Sequence, residues 1–299
     1  PAVASPSPQM AAKHRPASGR GPAARPVRSP STDRRLKAGR WVVLALAVLA
    51  TLVWLANSPL QPVIMALLLT SCAVAIWFRP PVLVALLPAA LPVFDLAPWS
   101  GPLLIDEFDI LVLLGLAIAY VRTPQTPRGQ AHDVPLTTCL GLLTLSVGIG
   151  ALMPLLPWPD IDLNAFSGYF SPFNGLRIGK GLLWALLFWG LLRRLALDNQ
   201  PVFSLFARGM ATGLLFTVAI VLWERSIYGG LASLDSDYRV TGPFSAMHVG
   251  GAYIECFFTV AAPFLIFLLA GTSSRVTRLF GVGLLLLSTF ALMLTFSRN

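Results

Sequence analysis

Two arginines near the end of the chain are the residues best suited to chemistry. They are Arg239, in Tyr238-Arg239-Val240-Thr241-Gly242-Pro243-Phe244, and Arg298, in Thr295-Phe296-Ser297-Arg298. A guanidinium is permanently charged and presents a planar fork of donors that matches phosphate oxygens. Each motif abuts a hydrophobic run, so two such forks held on one side of a membrane suit an anionic headgroup between them. The rest of the chain has to supply the scaffold that holds them there.

Composition sets that scaffold. Of 299 residues, 56% are hydrophobic and only 12% charged, with a mean hydropathy of +0.72, which a water-soluble domain does not reach. The pattern predicts an all-α, polytopic transmembrane helical bundle over residues 41–299. The net charge of +9 does not indicate nucleic acid as a partner, because nine of the 22 Lys and Arg residues fall within residues 1–40 beside one acid, Asp33. Residues 1–40 are rich in Pro, Ala, Arg and Ser and lack a hydrophobic period, so they read as a disordered, basic cytoplasmic tail. The basic stretch is too long for a signal peptide, and an uncleaved first helix is expected after it. The true start is open, with Met10 as one candidate, and the chain is expected to continue past Arg298 into further helices.

Apolar runs at 41–56, 63–78, 81–96, 108–121, 136–156, 179–192, 206–223, 251–270 and 279–296 give about nine spans. The first four are shorter than the roughly 20 residues that cross a hydrocarbon core, and the first two are open to reading as a shallow pair. Prolines 80, 81, 88 and 92 should kink the third. With the N-terminus inside, 17 of the 22 cations lie on the cytoplasmic side, as the positive-inside rule requires. The exceptions are Arg177, Lys180, Arg225, Arg239 and Arg298. Cations kept where topology disfavours them are candidates for function.

The order Arg239-Val-Thr-Gly-Pro-Phe244, helix, short basic loop, helix, Leu294-Thr-Phe-Ser-Arg298 resembles the O-antigen ligase and polymerase family, bacterial membrane glycosyltransferases of the GT-C type. The motifs cover residues 225–299, and the upstream layout is similar only in hydrophobic character. What the resemblance implies is metal-independent, cofactor-free transfer of glycan from an undecaprenyl-diphosphate-linked donor, at the periplasmic face of the inner membrane. The products would be lipopolysaccharide O-antigen or exopolysaccharide, and the acceptor a glycan, lipid A core or a protein. By the same resemblance, Arg239 and Arg298 are the catalytic cations that hold the diphosphate. The family's acceptor-activating histidine belongs to a large loop after the position of Arg298, and His248 does not replace it.

Four further residues are candidate substrate contacts. Arg177 and Lys180 share one face of the sixth helix at its outer end, where they either snorkel to lipid headgroups or meet diphosphate or acidic sugar. Glu255, four residues into the eighth helix, needs a partner at that depth, and His248 lies seven residues before it. Asp160/Asp162 and Asp235/Asp237 have a metal-like spacing but fall on the predicted outer side, away from nucleotide sugars. Asp106, Glu107 and Asp109 read as the cap of the fourth helix. The aromatic loop from Trp158 to Phe173 suits an interfacial belt or stacking on sugar rings. The three cysteines lack ligand or redox spacing and are expected to be buried. A lipid-linked oligosaccharide flippase or other secondary transporter is the alternative of a different class, although no internal repeat is visible. A metal-dependent GT-C transferase would place an acid in the first outer loop, and residues 57–61 have none.

Overall fold

A computed structural model describes residues 30–57, 62–94, 105–123, 134–161, 165, 171–231, 238, 240, 242–244 and 252–295, with backbone alone at 30–36, 134, 178 and 252. Most of the described residues are helical, and none of them lies in a strand. The helices are α1 (Pro30–Ala56), α2 (Pro62–Phe78), α3 (Val82–Phe94), α4 (Glu107–Arg122), α5 (Val134–Leu152), α6 (Asn174–Leu197), α7 (Val202–Tyr228), α8 (Ala252–Gly271) and α9 (Arg275–Leu294). A bilayer interior offers the backbone no other hydrogen-bond partner, so apolar runs become helices. Six of them, α1 and α5 to α9, are long and apolar enough to cross a membrane. α1 begins at Pro30, earlier than the boundary expected at residue 40, and its apolar part runs over Lys37–Ala56.

The short run that becomes α4 is the hub of the N-terminal half. Eleven of its residues are buried, including Ile110, Leu111, Val112 and the run Leu114–Ala119, under a surround of α1, α2, α3 and α6. A helix that is apolar all round and enclosed by protein does not meet lipid tails directly. Its ends are well defined. Asp106 accepts from the Asp109 backbone N–H while the Asp109 side chain accepts from the Asp106 N–H, a reciprocal cap that matches the expectation from sequence.

α3 packs most closely against α7, and α7 against α8. The α3–α7 contact is made by prolines on one side and glycines on the other. Pro92 cannot donate to the carbonyl of Pro88, and this freed carbonyl faces Gly213, where an added Cβ would lie 2.5 Å from its oxygen. Gly209 sits equally close to the Ala85 carbonyl one turn earlier. Small residues thus let two backbones approach, the usual basis of helix association in a membrane.

The elements alternate in direction. Arg40 near the start of the apolar part of α1, Arg122 at the end of α4 and Arg194 near the end of α6 all lie at one end, here termed the tail side. The starts of α4 and α6 and the end of α1 meet at the opposite, loop side. The cysteines depart from expectation: Cys139 and Cys256 are exposed on outward helix surfaces and Cys72 is half-buried. An apolar run predicts membrane depth, and lipid accepts a thiol as readily as a protein core does.

Candidate functional site

At the loop side, the last two turns of α7 carry Trp223-Glu224-Arg225. Arg225 is fully buried and Glu224 nearly so, at 0% and 7% exposure. One Glu224 oxygen accepts from the Tyr238 hydroxyl at 2.7 Å, and the other accepts from the Gly242 N–H at 2.7 Å. Nη1 of Arg225 donates to the Tyr238 carbonyl at 2.7 Å. The tyrosine ring also stacks on Tyr228, with centroids 5.4 Å apart. One carboxylate and one guanidinium on α7 therefore hold the chain on both sides of Arg239. Desolvation, reinforced by the hydrogen bond to Glu224, pushes the Tyr238 hydroxyl up to about 12, so it remains a donor at any physiological pH.

Past this tether the chain turns inward. Gly242 has φ +61°, and an added Cβ would sit 2.7 Å from Ile254 and 3.3 Å from Val221, so both backbone conformation and space call for glycine. The turn brings Val240 and Phe244 into the core formed with Val221, Ile254 and Phe257. Phe244 lies 5.6 Å from Phe257, centroid to centroid. The motif's apolar residues thus plug the top of α7 and α8.

The second motif arrives at the same place from α9. Thr295, 1% exposed, shares its one hydroxyl proton between Glu255 of α8, 3.1 Å from Oγ1, and the Leu292 carbonyl, 2.7 Å from it. Glu255 therefore has the partner its depth required, and that partner opens the Thr-Phe-Ser-Arg motif. Arg239, His248 and Arg298 themselves lie outside the described residues, as do Asp162, Asp235 and Asp237.

A separate polar cluster joins α6 to α4. Lys180 forms an ion pair with Asp109 and lies 3.1 Å from Asp106, while the Trp184 indole donates to the other Asp109 oxygen at 2.7 Å. Arg177 lies one turn before Lys180, at the start of α6, and is half-buried. Asp109, Lys180 and Trp184 line a cavity of about 570 Å³ together with Trp54, Asn57 and Leu176. Within the aromatic loop the two described rings divide. Phe173 is buried and anchors the start of α6, whereas Trp158 faces outward and meets its edge at 6.0 Å. No group of three His, Cys, Asp or Glu suited to a metal ion occurs among the described residues.

No family model matches the chain, and neither a curated protein nor a solved structure proved similar to it. The functional assignment thus rests on the residues. Sequence reasoning passed over Glu224 and took Arg225 only as an outer cation. The available signal was an acid beside a base in the last turn of an apolar helix, a pairing that membranes tolerate only with partners.

Proposed function

We propose that the chain carries the donor-binding part of a glycan ligase or polymerase that works at the periplasmic face of a bacterial inner membrane, on a nine-span, GT-C-like scaffold. The acceptor hydroxyl attacks the anomeric carbon of the undecaprenyl-diphosphate-linked glycan. The new glycosidic bond forms as the carbon–oxygen bond to diphosphate breaks, and the hydroxyl proton passes to a base. Negative charge grows on the departing diphosphate, and cations already fixed in a water-poor site stabilise it without reorganising. Arg239 and Arg298 are assigned that role, with Arg177, Lys180, His248 and Glu255 positioning donor or acceptor.

One observation carries the proposal. The chain flanking Arg239 is tied to the end of α7, and Thr295, three residues before Arg298 in sequence, is tied to the start of α8. Two segments about sixty residues apart thus converge at one end of a three-helix unit, which is what a two-pronged diphosphate clamp requires.

Full-length protein reconstituted with an undecaprenyl-diphosphate-linked glycan and an acceptor is expected to release undecaprenyl diphosphate and to label the acceptor. Passage of intact donor across the bilayer with no transfer product would assign a flippase instead. The same transfer is expected to persist in chelator; loss restored by magnesium or manganese would place the enzyme in the metal-dependent class.

Orientation follows from charge, with the tail-side end placed in the cytoplasm. Reporter fusions at Gln130 and Ser233 should read cytoplasm and periplasm respectively. The reverse result would put the two motifs on the wrong face for a periplasmic transfer.

A further inference from the structure

The tail-side end holds a second group of arginines, far from the loop-side motifs. Arg40 Nη1 donates to the Thr123 carbonyl at 3.2 Å, and the positive charge of Arg194 acts directly on Arg40. The Arg194 guanidinium lies over the Tyr120 ring at 4.6 Å, while the Tyr120 hydroxyl donates to the Leu187 carbonyl at 2.6 Å and fixes that ring between α4 and α6. Two like charges are therefore held near one another by three helices, and neither meets a carboxylate among the described residues.

Three polar atoms at this point are buried and have no hydrogen-bond partner among the described residues: Arg40 Nη2, Arg194 Nη1 and Thr123 Oγ1. Thr123 itself is 3% exposed. A buried donor left unpaired forfeits its hydration with nothing in return, most heavily when it is charged, and repulsion between the two guanidinium groups adds to that. An oxyanion with several acceptor oxygens removes both penalties together.

An apolar groove begins one helical turn from Arg40. It lies between α1, α2 and α4, encloses about 350 Å³ and is lined by residues including Leu44, Val48, Leu69, Trp77, Leu114 and Ile118. Leu44 is one helical turn beyond Arg40, and Trp77 accepts at its carbonyl from Arg122 Nε at 3.1 Å, so the groove starts at the level of the cations. Charge at its mouth and hydrocarbon along its length match a lipid with an anionic headgroup.

We propose that the tail-side junction of α1, α4 and α6 is a binding site for an anionic phospholipid, with the headgroup phosphate held by Arg40, Arg194 and the Thr123 hydroxyl, and an acyl chain in the groove between α1, α2 and α4. The site would tie the basic start of α1 to the hub helix through the lipid, as basic pockets between membrane helices do.

The test uses full-length protein, delipidated in neutral detergent, with phosphatidylglycerol, phosphatidylcholine or inorganic phosphate added, read by native mass spectrometry and by the thermal midpoint. Phosphatidylglycerol is expected to bind and to raise the midpoint, and the other two are not. Arg40→Gln and Arg194→Gln are each expected to weaken phosphatidylglycerol binding about tenfold or more, the loss of one charge-assisted contact. Arg79→Gln, an exposed cation next to α2, is expected to leave it unchanged. Should a glutamine variant fail to fold, Arg40→Lys and Arg194→Lys keep the charge and are read by binding alone, with weaker phosphatidylglycerol binding expected from loss of the fork. Equal response to the two lipids, undiminished binding in the Arg40 and Arg194 variants, or a full response to inorganic phosphate alone would each overturn the site as a lipid site.

Discussion

Arg239→Ala and Arg298→Ala are each expected to lower glycan transfer about 10²- to 10³-fold, the loss of roughly 3–4 kcal/mol of transition-state stabilisation known for removal of one oxyanion donor. The loss should appear in turnover more than in donor affinity, because the charge being stabilised grows as the diphosphate departs. Arg298→Lys should restore little, since an ammonium keeps the charge without the two-pronged geometry. Arg275 provides the control. It is exposed at the start of α9, at the end of that helix away from Thr295, and Arg275→Ala should retain near-normal transfer and membrane level. Rates measured at matched expression in the full-length protein decide the matter. Normal transfer by Arg239→Ala and Arg298→Ala would remove the clamp, and with it the assignment of these motifs to catalysis.

Glu224→Ala should be as severe, but through the fold. It strips the acceptor from both the Tyr238 hydroxyl and the Gly242 N–H, at roughly 1–3 kcal/mol for each buried donor left unpaired. Tyr238→Phe removes donor and acceptor contact at one point only and should cost about 1 kcal/mol. The expected signature is a lower thermal midpoint for both variants, larger for Glu224→Ala, together with faster protease cleavage between residues 226 and 250. Transfer should fall with loop order, since the segment released is the one that carries Arg239. A Glu224→Ala protein with an unchanged midpoint and cleavage rate would show that α7 does not hold this loop. Because the pKa of Tyr238 is raised, its contribution is fully present below about pH 10 and is lost only as pH climbs through about 12, so the comparison holds across ordinary assay conditions.

The helices, their order and their alternation were legible in the amino-acid string, because a bilayer leaves a long apolar run no other stable conformation. The cap of α4 was legible for a related reason: Asp106 and Asp109 act on backbone within one turn, so spacing alone determines the geometry.

What only the tertiary structure decided is which helix faces what. α4 and α5 are both apolar runs, yet α4 is enclosed while most of α5 faces outward, and hydrophobicity has no vote between lipid and protein as surroundings. The same indifference explains Cys139 and Cys256, apolar in setting but outside the core. Long-range polar pairs were invisible for another reason. Lys180 meets Asp106 and Asp109 across more than seventy residues, and Glu224 meets Tyr238 and Gly242 across a loop. A charge in an apolar helix signals that it must have a partner, because leaving it bare in hydrocarbon is too costly. The identity of that partner depends on which helix ends converge, a matter of packing between segments that have no local relation in sequence.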